Sequence, residues 1–145
     1  EFKKFSVFDG VGVAMAKAAG LKIALISARY SPATQERAKE LNIMDVYNGS
    51  LNKIPAYKDI KLKYKLSDSN IAYIGDDLID ISVMKKVAVP IAVANAISEV
   101  KKLSVHITNA SGGEGAFREA VSWIIDGQGR TNETLKIMQD QILKN

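Results

Sequence analysis

Three aspartates stand close together in the segment GDDLID, at Asp76, Asp77 and Asp80. Carboxylate oxygens at this density suit Mg²⁺, which binds through a few carboxylates and completes its shell with water and phosphate oxygens. The alternative is helix capping, with Asp77 as the N-cap residue and Asp80 in the first helical turn, where negative charge is favourable. Clustered acids also repel one another unless a positive group compensates. The segment by itself leaves both interpretations open.

Three further polar residues are candidates for binding an anion. Ser27 directly follows the apolar segment 21–26, where a hydroxyl and backbone N–H groups suit a phosphate oxygen. Arg29 suits a carboxylate or a phosphate, and Lys53 is a point-charge partner for phosphate that would also neutralise the aspartates. For each of these residues the alternative is an ordinary loop or surface position, and composition does not separate the two.

Short apolar runs alternate with segments of helical periodicity along the chain. The runs predict strands at residues 21–26, 45–47, 71–74, 90–93 and 105–108. The periodic segments predict helices at residues 11–18, 31–41, 54–66, 79–87, 97–103, 114–125 and 132–143. Ser31 and Pro32 form a helix start, with Ser as the N-cap and Pro at the first helical position.

Strands that alternate with helices predict an α/β fold, a parallel sheet covered by helices on both faces. Ligands of such sheets bind outside the carboxyl ends of the strands. Ser27, residues 49–53 and residues 75–80 all follow predicted strands, so we expect them at one edge of the sheet. This convergence is more informative than any single motif.

The composition, 47% hydrophobic and 25% charged over 145 residues, indicates one globular domain and excludes wholesale disorder. The absence of Cys excludes a disulfide scaffold, a thiolate metal site and a cysteine nucleophile, and it is compatible with the cytoplasmic location that we expect. The net charge of +4 favours an anionic ligand or reflects a Lys-rich surface. No basic stripe carries aromatics and no apolar run approaches membrane-spanning length. We therefore expect a small-molecule partner, with no nucleic acid and no membrane.

The order of these motifs resembles that of the phosphatases of the haloacid dehalogenase (HAD) superfamily. ISAR (26–29), NGSLNK (48–53) and YIGDDLID (73–80) are similar to that superfamily's motifs II, III and IV. Residues 3–29, and SGGEGAFREAV at 111–121, resemble stretches of the 3-deoxy-D-manno-octulosonate (KDO) 8-phosphate phosphatases. The resemblance covers roughly residues 2–125. It implies a HAD-like Rossmannoid sheet, with residues 1–126 as the core and residues 127–145 as a C-terminal linker and helix.

The resemblance implies Mg²⁺-dependent hydrolysis of a sugar-acid phosphate, namely KDO 8-phosphate, in lipopolysaccharide biosynthesis. Asp76 and Asp77 would then be the metal residues, and Asp80 would support the metal shell and Lys53. Ser27 would bind the transferring phosphoryl group and Lys53 would stabilise its charge, in keeping with the general logic of phosphoryl transfer.

On the substrate side, the resemblance implies that Arg29 faces the sugar acid. The related nonulosonate 9-phosphate phosphatases are acidic at this position, so Arg29 favours KDO 8-phosphate. Arg118 would help to close a neighbouring subunit's site, since the family is typically tetrameric, and we expect a homotetramer. Asp9 is expected to be a helix N-cap or a substrate-side residue.

The chain departs from the family pattern in two places. Ala28 replaces the usual Gly of motif II, which is a minor change. The family's motif I, Asp-x-Asp-Gly, carries the nucleophilic Asp and the general acid, and we expect it on a strand upstream of Glu1. Asp9-Gly10 resembles a later element of the family and does not replace it. Residues 1–145 alone are therefore expected to lack the central strand and phosphatase activity, and to be poorly soluble.

Three alternatives remain open at this point. The first is a catalytically inactive HAD-like module that serves assembly or binding, and the second is a nonulosonate 9-phosphate phosphatase. The third, a response-regulator-like domain, would need its acids near the first strand and leaves the GGEGAFRE segment unexplained. Ser27, Lys53 and GDDLID occur together, which favours an enzyme over an inactive module.

Overall fold

The structure, a computed structural model, describes residues 3–144. Within that range the helices are α1 (Val7–Ala18), α2 (Pro32–Glu40), α3 (Ile54–Tyr64), α4 (Ile81–Met84), α5 (Ser98–Leu103), α6 (Ala116–Gly127) and α7 (Thr131–Leu143). The strands are β1 (Ala24–Ser27), β2 (Asp45–Asn48), β3 (Ala72–Gly75), β4 (Val89–Ala92) and β5 (His106–Ile107). Two 3₁₀ turns, Asp68–Asn70 and Leu78–Asp80, flank β3. The predicted α/β fold class is confirmed.

The strands form two separate parallel sheets. β1 pairs with β2, and Ser27 lies opposite Asn48. β3, β4 and β5 form the second sheet in that order, with Gly75 opposite Ala92. β1 and β3 do not pair within residues 3–144, and every residue of β1 is only half-buried, whereas most of β4 is buried. β1 and β3 therefore each have one edge without a strand partner among the described residues.

Local sequence signals account for where the elements begin and end. Ser31 caps α2 by accepting a hydrogen bond from the Thr34 N–H, and Pro32 opens the helix as predicted. α1 begins four residues earlier than predicted, because the Ser6 hydroxyl accepts a hydrogen bond from the Phe8 N–H and acts as the N-cap. Asp9, expected to be a helix N-cap or a substrate-side residue, lies in the first turn of α1 and does not cap that helix.

The predicted helix at residues 79–87 is shorter in the structure. Its first turn is the 3₁₀ turn Leu78–Asp80, and α4 follows for one turn only. The Asp80 carboxylate accepts hydrogen bonds from the backbone N–H groups of Asp76 and Asp77. These bonds hold the segment in a 3₁₀ turn where a regular α-helical start was predicted. The predicted strand at residues 21–26 is also displaced, since β1 begins at Ala24 and Ser27 is its last residue.

The apolar core consists of several buried clusters. Met84, Val100 and Ala92 of β4 belong to one buried cluster, and α1 packs against α6 in another. α7 joins the second cluster through Met138, and its Thr134 is 2% exposed. The part of the chain predicted as a C-terminal linker and helix thus packs on the α1–α6 layer, while its status as a separate unit stays a prediction. No helix within residues 3–144 is long and apolar enough to span a membrane.

Candidate active site

The Asp80 carboxylate organises the turn at the carboxyl end of β3. The residue Asp80 is 2% exposed, and one carboxylate oxygen, Oδ2, accepts hydrogen bonds from the backbone N–H groups of Asp76 (2.9 Å) and Asp77 (3.1 Å). The other oxygen, Oδ1, accepts from Lys53 Nζ at 2.7 Å and from the Tyr73 hydroxyl at 2.5 Å. With both oxygens engaged, Asp80 holds the turn and Lys53 in place and is not a free ligand.

Gly75 makes room for this arrangement. A Cβ atom at this position would lie 2.7 Å from Asp80 Cβ and 2.7 Å from Met84 Sδ. Only glycine lets Asp80 approach the end of β3 closely enough to reach the backbone of Asp76 and Asp77. The Gly in the sequence GDDLID is therefore required for steric reasons.

Asp76 and Asp77 have different environments. The Asp77 carboxylate accepts a hydrogen bond from the Leu78 N–H at 2.7 Å, so the capping interpretation holds for this residue. No described residue donates a hydrogen bond to the Asp76 carboxylate, which lies at the exposed surface of the turn. Partial desolvation, together with the nearby carboxylates of Asp80 and Asp77, raises the pKa of Asp76. A cation bound beside Asp76 would relieve this repulsion.

The acidic side chains do not by themselves form a complete metal cage. Among residues 3–144, no group of three or more His, Asp or Glu side chains is arranged to hold a metal ion. Mg²⁺ commonly uses one or two carboxylates and takes its remaining ligands from water and phosphate. Asp76, with Asp77 beside it, fits that smaller requirement.

Lys53 is a buried cation. It immediately precedes α3, its side chain is 8% exposed, and it forms an ion pair with Asp80. Burial alone would raise the pKa of Asp80, but the hydrogen bonds from Lys53 and Tyr73 outweigh it and lower that pKa to about 2. Because a buried ion pair costs desolvation and is weak evidence for stability, its presence at a strand end points to a function.

The ends of β1 and β2 are joined by backbone hydrogen bonds. The Ser27 carbonyl accepts from the Gly49 N–H at 2.9 Å and from the Ser50 N–H at 2.8 Å. The Ser27 hydroxyl donates to the Arg29 carbonyl at 2.8 Å. The Asn48 side chain accepts from the Ser31 N–H and donates to the Ser31 carbonyl, which fixes the start of α2 beside this loop.

The predicted site residues thus fall into two groups on two sheets. Asp76, Asp77, Asp80 and Lys53 meet at the end of β3. Ser27 and Arg29 follow β1, and within the described chain they make no hydrogen bond to the first group. Arg29 is exposed and has no side-chain partner among residues 3–144.

Asp9 and Arg118 meet at the junction of α1 and α6. The Asp9 carboxylate accepts hydrogen bonds from the backbone N–H groups of Gly115 and Arg118, both at 3.3 Å, and so caps α6. A Cβ atom on Gly12 would lie 2.8 Å from Arg118 Cα, so glycine permits the close approach of the helices. The Arg118 guanidinium lies 5.7 Å from the centroid of the Phe8 ring. The substrate roles of Asp9 and Arg118 stay predictions.

Sequence reasoning missed two residues of the site, Tyr73 and Asn48. Tyr73 lies in an apolar strand two residues before Gly75, and residues two apart in a strand share a face. Tyr73 therefore lies on the same face of β3 as the space above Gly75 that Asp80 occupies, and this position indicates a contact between Tyr73 and Asp80. Asn48 had no such signal, because its amide contacts Ser31, which is distant in sequence.

Comparisons with known proteins identify the family. The sequence pattern of the haloacid dehalogenase-like hydrolase family matches residues 34–118 of this chain. The chain belongs to that family. It is 36% identical over 133 residues to the 3-deoxy-D-manno-octulosonate 8-phosphate phosphatase of Escherichia coli K12, covering 92% of this chain and 71% of the relative. The phosphatase of the same name from Salmonella typhi matches with the same identity and coverage.

Solved structures agree with this assignment. The Moraxella catarrhalis KDO 8-phosphate phosphatase, in complex with magnesium, phosphate and KDO, has a TM-score of 0.89 and 33% identity, covering 95% of this chain and 79% of that chain. The cobalt-bound Haemophilus influenzae phosphatase has a TM-score of 0.86 and 34% identity, covering 90% of this chain and 77% of that chain. The predicted superfamily is confirmed, and the chain is a phosphatase-type hydrolase of this family.

Proposed function

We propose that this protein is a Mg²⁺-dependent phosphatase that hydrolyses KDO 8-phosphate to KDO and phosphate. The observation that carries the proposal is the buried Lys53–Asp80 pair, held beside Asp76 at the carboxyl end of β3. A buried cation next to an acidic turn is the arrangement that phosphoryl transfer uses to balance the charge of metal and phosphate. The relatives named above support the substrate.

The metal would be held by Asp76, with Asp77 beside it. The raised pKa of Asp76 agrees with this assignment, because burial and the carboxylates of Asp80 and Asp77 outweigh the positive charge of Lys53 there. When bound, Mg²⁺ supplies positive charge and orientation for the phosphoryl oxygens. Asp80 keeps its own carboxylate on Lys53 and on the turn, so the loop is preorganised before the ion arrives.

Lys53 would stabilise the phosphoryl group directly. Its ammonium has three N–H donors, and two of them are engaged by Asp80 and Tyr73. The third donor remains for a phosphoryl oxygen. Ser27, at the end of β1, would bind a second oxygen through the adjoining backbone N–H groups, or through its hydroxyl once that hydroxyl turns away from the Arg29 carbonyl.

The nucleophile of the proposed covalent mechanism is an aspartate outside the described residues, upstream of residue 1. We place its strand between β1 and β3, since each of these strands has an unpaired edge within residues 3–144. The carboxyl end of that strand would lie next to both Ser27 and Asp76. Asp76, Asp77 and Asp80 belong to the metal turn and do not supply this group.

The substrate's carboxylate would be bound by Arg29, which is exposed close to Ser27. The proposed assembly is a homotetramer, in which Arg118 helps to close a neighbouring subunit's site. Phosphate release by the full gene product from KDO 8-phosphate and from nonulosonate 9-phosphates, each assayed with Mg²⁺, tests the assignment. We expect the larger kcat/KM for the eight-carbon acid. A larger value for the nine-carbon acids would assign the protein to the other substrate class.

A further inference from the structure

The Lys53 ammonium is held by two hydrogen-bond acceptors, called its anchors below. The first is the Asp80 carboxylate, and the second is the neutral Tyr73 hydroxyl. Lys53 Nζ donates to Asp80 Oδ1 at 2.7 Å and to the Tyr73 hydroxyl at 3.1 Å. The Tyr73 hydroxyl in turn donates to the same Asp80 oxygen at 2.5 Å. The three groups form a closed triangle in which the hydroxyl is acceptor and donor at once, which phenylalanine could not reproduce.

Two other groups in the described chain have the same composition. Tyr57 and Lys61 both bind Asp68, and Tyr64 and Lys63 both bind Asp45. Their lysines are open to solvent, because the Lys61 side chain is 28% exposed and the Lys63 side chain is 52% exposed.

The Lys53 side chain is 8% exposed. Of these three groups, the one at the end of β3 therefore has the lysine that is most withdrawn from water. The other two provide internal controls for the loss of a tyrosine–aspartate hydrogen bond.

We propose that Tyr73 is a positioning residue, which fixes the Lys53 ammonium so that its remaining N–H faces the phosphoryl group. The role of Lys53 in phosphoryl binding belongs to the proposed function, on which this inference rests. With one anchor the ammonium rotates about its contact with Asp80, whereas two anchors define its orientation. A neutral hydroxyl supplies the second anchor without adding another negative charge beside Lys53.

The first test compares Tyr73→Phe with Tyr64→Phe in the full gene product. Tyr64→Phe removes the same kind of hydrogen bond at Asp45, which opens β2 at the amino end, away from the proposed site. We expect Tyr73→Phe to lower kcat for KDO 8-phosphate about tenfold, less than the 10²–10³ typical of losing a charge-stabilising donor altogether. KM should change little, because a misplaced cation acts mainly on charge that develops in the transition state. Tyr64→Phe should leave both parameters unchanged.

A second measurement does not depend on turnover. In protein labelled with ¹⁵N-lysine, the Lys53 ammonium should give a resonance protected from solvent exchange, assigned by its absence in Lys53→Met. Tyr73→Phe should remove the protection, and Tyr64→Phe should retain it. If the wild type releases no phosphate from KDO 8-phosphate, the proposed function fails, and this resonance still decides whether Tyr73 positions Lys53.

Unchanged kcat and an unchanged Lys53 resonance in Tyr73→Phe would overturn the inference. An equal loss of kcat in both variants, in step with their thermal stability, would overturn it as well. If Tyr73→Phe does not fold, 3-fluorotyrosine at position 73 keeps the ring and hydroxyl but makes the oxygen a weaker acceptor. The proposal then expects a smaller loss of kcat at unchanged Tm, and an unchanged kcat contradicts it.

Discussion

Lys53 Nζ lies 2.7 Å from Asp80 Oδ1, in an ion pair whose side chains are 8% and 3% exposed. Asp80 also accepts hydrogen bonds from the backbone N–H groups of Asp76 and Asp77, in the turn that follows β3. One carboxylate therefore fixes both the Lys53 ammonium and this turn.

Asp80→Asn should destabilise the fold strongly. The change leaves the Lys53 ammonium buried without a negative partner, which typically costs about 3–5 kcal/mol. Urea unfolding at pH 7 measures the effect. Glu40→Gln, which breaks the exposed pair between Arg37 and Glu40, is the matched control and should cost about 0–1 kcal/mol. Equal losses of unfolding free energy in the two variants would show that the buried pair stabilises the fold no more than the exposed pair does.

Gly75→Ala should disturb the site through its added methyl group. The new Cβ would meet Asp80 and Met84 at 2.7 Å, and overpacking of this kind costs about 1–3 kcal/mol. Phosphatase activity should fall further than stability alone explains, because Asp80 holds Lys53. Gly127→Ala has no neighbour within 4 Å of its Cβ and should be neutral or stabilising by about 0.5–1 kcal/mol. Thermal unfolding and initial rates of both variants decide the matter.

Asp9→Ala should loosen the junction between α1 and α6. Its carboxylate caps α6 through the N–H groups of Gly115 and Arg118, and loss of such a cap costs about 1 kcal/mol. Glu36→Ala, at an exposed position of α2, serves as the control. A lower Tm with unchanged KM would assign Asp9 a structural role. A raised KM at unchanged Tm would support the predicted substrate role instead.

Asp45 should make the fold sensitive to acid. Burial alone would raise its pKa, but hydrogen bonds from Lys63 and Tyr64 outweigh burial and lower the pKa. The ionised carboxylate therefore stabilises the fold above the unfolded pKa, about 3.9, and this contribution is lost as pH falls through the lower folded pKa.

Urea unfolding of the wild type and of Asp45→Asn across the range from pH 7 to pH 3 measures this contribution. The stability gap between the two proteins should be largest at pH 7 and should narrow below pH 4. The surface variant Asp140→Asn should show no such narrowing gap. A gap that stays constant to pH 3 would mean that Asp45 is not the acid-sensitive group.

Local signals in the sequence predict most of the fold. Apolar runs locate the strands, and the Ser31-Pro32 start of α2 was predicted to the residue because cap chemistry is local. The single turn of α4 was not predictable, since it depends on the Asp80 side chain displacing a regular helical start.

The candidate site also contains residues that the sequence indicates and residues that only the structure shows. The resemblance predicts roles for Asp76, Lys53 and Ser27, but the contact of Tyr73 with Lys53 joins β3 to the residue that precedes α3. Likewise the cap that Asp9 supplies to α6 joins residues more than a hundred positions apart. Contacts of this range have no local sequence signature.

Mg²⁺-dependent phosphate release from KDO 8-phosphate, measured for the full gene product as wild type, Asp76→Asn and the control Asp140→Asn, tests the proposed metal site. The wild type and the control should be activated by Mg²⁺ with the same concentration dependence. Asp76→Asn should lose the response, with a rate reduced by about 10²-fold or more, because the carboxylate that would hold the metal is gone. A wild-type response to Mg²⁺ in Asp76→Asn would contradict the proposed metal site.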